Sequence, residues 1–64
     1  MTAEQIRDLR LRLELSTMAF AIRLAVSVDT VRKYEQGKRR PTDRIMRLLE
    51  ALDVTTPARQ EVAV

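Results

Sequence analysis

Ser27-Val28-Asp29-Thr30-Val31-Arg32-Lys33-Tyr34-Glu35-Gln36-Gly37-Lys38-Arg39-Arg40-Pro41 contains, in order, a helix start, an apolar stripe, a helix stop and a basic loop. Ser27 is the kind of short acceptor that caps a helix N-terminus, and Asp29 puts an anion in the first turn, where the helix dipole favours one. Val31 and Tyr34, three positions apart, share the face that should turn inward. Val28, Asp29, Arg32 and Lys33 then fall on the outward, N-terminal part of the helix. Gly37 marks the stop, because it takes a left-handed conformation without steric cost. The ring of Pro41 crowds the preceding residue out of the α region, so Lys38, Arg39 and Arg40 read as a basic loop.

Upstream of this stretch, Ser16 or Thr17 can cap a short helix whose inward residues are Phe20, Ala21 and Leu24, before Ala25-Val26-Ser27 interrupts it. Thr2-x-x-Gln5 has the capping-box pattern, and Ile6, Leu9 and Leu13 describe one apolar face over about Ala3 to Leu13. Downstream, Thr42 caps a further helix in which Ile45, Leu48, Leu49 and Leu52 recur at helical spacing. Beyond Asp53 two readings stand side by side. Thr56-Pro57 suits the start of a short fifth helix, whereas Glu61-Val62-Ala63-Val64 alternates as a strand would. The expected fold is all-α: a compact four- to five-helix domain over residues 1–55, followed by a tail at 56–64 that is a candidate dimerisation segment.

With 64 residues the chain is one domain, and 45% hydrophobic with 33% charged residues is a folding composition. The absence of Cys and His removes disulfides, the commonest zinc ligands, the commonest general base and the best nucleophile. No catalytic residue, metal or cofactor is therefore expected, and the chain should not be an enzyme. There is no apolar run of signal or membrane-spanning length, so a cytoplasmic protein with no membrane association is expected.

The net charge of +3 hides an uneven distribution. Residues 32–47 hold seven basic side chains against Glu35 and Asp43, a balance of +5, while the remainder holds five basic and seven acidic residues, a balance of −2. Ten of the twelve cations are Arg, whose planar fork matches phosphate and guanine edges. A charge run is often only a solvated face, but here it adjoins an outward polar helix, and a polyanion is the first partner to consider.

Two short helices joined by about three residues, the second polar on its outer face and followed by a basic loop, have the layout of a DNA-reading helix-turn-helix. The series Leu15-Ser16-Thr17-x-x-Phe20-Ala21-x-x-Leu24-Ala25-Val26-Ser27-x-x-Thr30-Val31-x-x-Tyr34-Glu35-x-Gly37-x-x-x-Pro41 resembles the lambda-repressor-like (Cro/XRE-type) family over roughly residues 5 to 53. The 27–41 run is similar to antitoxin-type autoregulators, and small phage-type repressors share the pattern. Three positions depart from it: Glu14 and Ala25 stand where the family commonly has Gly, and Thr17 where it commonly has Gln. A left-handed Ala25 would carry strain on the order of 1 kcal/mol.

The resemblance implies that Val28, Asp29, Arg32 and Lys33 meet base edges in the major groove. Arg32 suits a bidentate contact to guanine, Val28 a thymine methyl, and Lys33 either a base or a phosphate. Thr17, Lys38, Arg39, Arg40 and Arg44 would grip phosphates and set the register. Arg10 and Glu35 match a pair that family members join as a structural ion pair. The function implied is sequence-specific binding of double-stranded DNA, by a homodimer on a palindromic operator, as a repressor that autoregulates its operon. Leu52, Val54, Val62 and Val64 are candidates for the dimer interface, or alternatively for covering the monomer's own core.

Two other functions fit the same residues. One is an antitoxin that binds a toxin as well as DNA, for which 64 residues leave little room for a dedicated extension. The other is a basic RNA or protein interaction module, against which the aromatic count speaks: Phe20 and Tyr34 are the only two, and both are expected to point inward.

Overall fold

A computed structural model describes residues 1–55, which form α1 (Ala3–Arg12), α2 (Thr17–Leu24), α3 (Val28–Glu35) and α4 (Asp43–Thr55). The alternative readings of the tail, and the interface candidates Val62 and Val64, lie outside the described residues.

Each helix begins on a Ser or Thr that accepts a hydrogen bond from the backbone three positions on. Thr2 does so from Gln5 N–H (3.1 Å), Ser16 from Ala19 (3.0 Å), Ser27 from Thr30 (3.1 Å) and Thr42 from Ile45 (3.3 Å). Gln5 returns the contact to Thr2 N–H at 2.8 Å, which completes the capping box. Of the two candidate caps for α2, Ser16 is the one used, and Thr17 becomes the first helical residue.

The first three helices end in the same way. Leu15 N–H reaches Arg10 O and Glu14 N–H reaches Leu11 O; Val26 and Ala25 repeat this pair of bonds onto Ala21 and Ile22, and Lys38 and Gly37 repeat it onto Lys33 and Tyr34. This is the Schellman arrangement, which requires a left-handed residue at the reversal. Glu14 (φ 58°), Ala25 (φ 59°) and Gly37 (φ 75°) fill that position, so two of the three reversals use a residue with a Cβ. Ala25→Gly is therefore expected to stabilise the domain. Relief of about 1–2 kcal/mol of steric cost outweighs the added chain entropy of about 0.4–1 kcal/mol, for a net gain of roughly 0.5–1 kcal/mol. Thermal melting should rise by about 3–6 °C. A melting point at or below that of the parent would count against strain at this turn.

The core is Ile6 and Leu9 from α1, Phe20, Ala21 and Leu24 from α2, Val31 and Tyr34 from α3, and Ile45 and Leu49 from α4. Leu13, Leu48 and Leu52, expected inward, are half-buried at its margin. α2 packs on α3, α1 on α3 and α4, and α2 on α4. Ala21 is 2% exposed, and its small side chain suits a close approach of helices. Arg12 at the end of α1 also pairs with Asp53 near the end of α4 at 2.7 Å, a half-exposed clamp between elements far apart in sequence.

Candidate nucleic-acid interface

α3 is oriented by what it buries. With Val31 and Tyr34 in the core, the opposite face presents Asp29, Arg32 and Lys33 to solvent. Val28, expected among the outward residues, is half-buried and packs against the core, so only part of its side chain is available to a partner. Its place at the first turn of α3, beside the short α2–α3 connection, puts it at the margin of the packed face. Lys33 Nζ lies 3.2 Å from the Asp29 carboxylate one turn earlier, a pair on the exposed surface of the helix. Arg32 has no such carboxylate partner among the described residues.

The far end of α3 is held by Arg10. Its Nε donates to Glu35 Oε2 at 2.7 Å, its Nη2 to Glu35 Oε1 at 3.3 Å and its Nη1 to the Leu15 carbonyl at 3.1 Å. One guanidinium thus ties α1, the turn before α2 and the last residue of α3. The side chains of Arg10 and Glu35 are 15% and 11% exposed, so water competes weakly with the pair.

The other cations are disposed differently. Lys38, Arg39 and Arg40 follow α3 directly, Arg44 lies in the first turn of α4, and all four are exposed. None of them is paired with a carboxylate among the described residues. Thr17 is half-buried at the start of α2, a helix with no acidic residue in its first turn to offset its positive end. Arg10 and Arg12 thus brace helices against one another, whereas Arg32 on α3, Lys38, Arg39 and Arg40 in the loop that follows it and Arg44 at the start of α4 are exposed and have no carboxylate partner among the described residues.

A family model for the helix-turn-helix domain matches residues 3–62, more than nine-tenths of the chain. The chain belongs to the Cro/XRE-like helix-turn-helix family. No curated protein and no solved structure matches it. In this helix-turn-helix protein, α2 and α3 are the two helices of the motif and Ala25-Val26-Ser27 is the turn. Family membership makes DNA binding, and with it transcription regulation, the activity class of the fold, which is typically non-enzymatic. No helix among the described residues is long and apolar enough to cross a membrane.

Two ion pairs became definite only in the folded chain. The Arg12–Asp53 clamp joins positions 41 apart, and only the fold brings them together. The Asp29–Lys33 pair has the helical four-residue spacing, yet that spacing alone does not say whether the two side chains face each other or separate partners.

Proposed function

We propose that the protein is a sequence-specific transcriptional repressor that binds double-stranded DNA as a homodimer and controls its own operon. The observation that carries this reading is the continuity of the outward face of α3, with Arg32 unpaired, and the unpaired cations of the loop that follows. In this reading Arg32 contacts guanine, Asp29 and Lys33 set the neighbouring preference, and Val28 contributes its exposed edge. Thr17, Lys38, Arg39, Arg40 and Arg44 bind backbone phosphates and position the helix.

The dimer follows from length. α3 has eight residues, about 12 Å of helix, and reads only a few base pairs. Two copies in successive major grooves, with half-site centres about 34 Å apart, supply the missing specificity. The C-terminal end of α4 supports such an association through Val54, which is 84% exposed, while Leu52 is half-buried against the core and offers only its margin. A footprint on the DNA flanking the protein's own gene tests the reading directly. Two protected half-sites of related sequence are expected, and an absence of protection there at concentrations that saturate other duplexes would remove autoregulation.

The Asp29–Lys33 pair yields a second test. As a dipole partner alone, Asp29 contributes about 0.3–1 kcal/mol to α3. As a specificity device it also repels phosphates wherever no base donor meets it, and it holds Lys33 at 3.2 Å, away from them. Asp29→Asn is expected to raise affinity for random DNA several-fold, lower the operator-to-random ratio and change thermal stability only slightly. Binding isotherms on operator and scrambled duplexes at two salt concentrations measure this. An unchanged ratio with a clear loss of stability would leave Asp29 only its structural role.

A further inference from the structure

A cavity of about 170 Å³ opens where α1 begins and the loop after α3 passes, walled in part by Ala3, Tyr34, Gly37, Arg39, Arg40 and Pro41. Three observations there point to the same kind of ligand. The first is Tyr34, which is 4% exposed while its hydroxyl has no hydrogen-bond partner among the described residues. Among the described residues no fully buried side-chain oxygen is left unsatisfied, so the hydroxyl reaches solvent, and Tyr34 lines this cavity. A phenol hydroxyl at the edge of a buried ring, open to solvent and without a protein acceptor among the described residues, is able to donate to a ligand there.

The second observation is the ten-residue α1 itself. Thr2 satisfies the N–H of Gln5, while that of Ala3, which lines the cavity, has no partner among the described residues and stands at the positive end of the helix. The third is charge. Arg39 and Arg40 belong to the cavity wall, and among the described residues neither has a carboxylate partner and no acidic side chain lines the cavity; Glu4 lines a separate depression with Arg7 and Asp8.

We propose that this cavity binds a small anion of the phosphate class. The Tyr34 hydroxyl and the Ala3 N–H at the head of α1 donate hydrogen bonds to it, and Arg39 and Arg40 supply the charge. Ile6 and Pro41 give the cavity an apolar wall suited to an organic group carried on the phosphate. Such occupancy engages two of the cations assigned to DNA, which makes the site a point of control. Only that consequence rests on the proposed DNA binding; the anion binding itself does not.

The test uses the full chain, with inorganic phosphate as the probe and chloride as the control at matched ionic strength. Gly37 is the single glycine and Tyr34 the single tyrosine, in a chain without tryptophan, so the Gly37 amide resonance and Tyr34 fluorescence both report on the cavity without ambiguity. A saturable change with phosphate and none with chloride is expected. Tyr34→Phe keeps the buried ring and should weaken phosphate at least about tenfold by the Gly37 resonance, with melting little changed. Should Tyr34→Phe melt early, the exposed Arg39→Ala variant gives the same readout. Equal responses to phosphate and chloride, or a folded Tyr34→Phe or Arg39→Ala variant that binds phosphate like the parent, would overturn the proposal.

Duplex binding then identifies the source of the anion. If it is a DNA backbone phosphate, Tyr34→Phe lowers duplex affinity and flattens the log–log salt slope by about 0.9. If it is a free phosphorylated molecule, Tyr34→Phe leaves duplex affinity alone, and added phosphate weakens the parent's duplex binding but not the variant's. A Gly37 response with no duplex binding at all would uphold the anion site and refute the DNA reading.

Discussion

Glu35→Ala should cost the domain about 2–4 kcal/mol, the largest effect expected of any single substitution outside the apolar core. Breaking one side of a buried ion pair typically costs about 3–5 kcal/mol, because the remaining charge loses its partner without regaining water, and the residual exposure of this pair moderates that figure. Arg10 would keep only its bond to the Leu15 carbonyl. Stability of roughly 0.05–0.15 kcal/mol per residue gives a domain this small only about 3–10 kcal/mol, so the loss is a large share of the whole. Thermal melting should fall by more than about 10 °C, and the fraction still folded should bind DNA more weakly because the last residue of α3 is no longer tied to α1. Glu35→Gln, which keeps an acceptor but not the charge, should fall between. Replacing Arg10 by Met and Glu35 by Leu together should recover part of the loss, the Leu15 carbonyl still lacking its donor. A melting point for Glu35→Ala within about 2 °C of the parent would show that the pair does not hold α3 in place.

Arg32→Ala and Arg39→Ala should separate base reading from phosphate binding. Arg32 lies exposed on the outward face of α3 and Arg39 in the loop beyond it, and neither has a carboxylate partner among the described residues. Loss of a bidentate guanine contact costs about 1–3 kcal/mol of discrimination, so Arg32→Ala should reduce the operator-to-random ratio by roughly 5- to 150-fold. Loss of a phosphate contact weakens all duplexes alike and lowers the salt slope by about 0.9, so Arg39→Ala should leave the ratio nearly intact. Isotherms on both duplexes across a salt series distinguish the two patterns. Equal loss on both duplexes in both variants would mean that the two residues do not divide the work this way.

How much of this was legible beforehand depends on the range of the interaction concerned. The four caps, the Gly37 stop and the inward stripes rest on contacts between residues three to five apart, and chain stereochemistry makes such contacts readable from residue order. The family resemblance over roughly residues 5 to 53 added what periodicity cannot contain, including the pairing of Arg10 with Glu35 across 25 positions, which the structure places at 2.7 Å. Val28 was less legible. Residue type and helical position put it outward, but it sits at the edge of the packed face, and only the neighbouring helix decides how much of such a side chain is covered.

The sequence by itself determined where the four helices lie along the chain, which face of each is apolar, and that the positive charge is gathered after position 31, because each of these is set by local bonding, helical period or composition. Only the tertiary structure decided which cations are spent on the fold and which remain free for a partner. Arg10, Arg12 and Arg32 are the same residue type in the sequence; the first two meet Glu35 and Asp53 because the packed core brings α3 and α4 to α1, and Arg32, turned to solvent by the burial of Val31 and Tyr34, meets no carboxylate among the described residues. The Tyr34 hydroxyl, without a protein partner among the described residues, is of the same kind. Its ring belongs to the apolar stripe that residue order already shows, but where the oxygen emerges depends on how α1 and the loop after α3 close around it, a matter of packing in three dimensions.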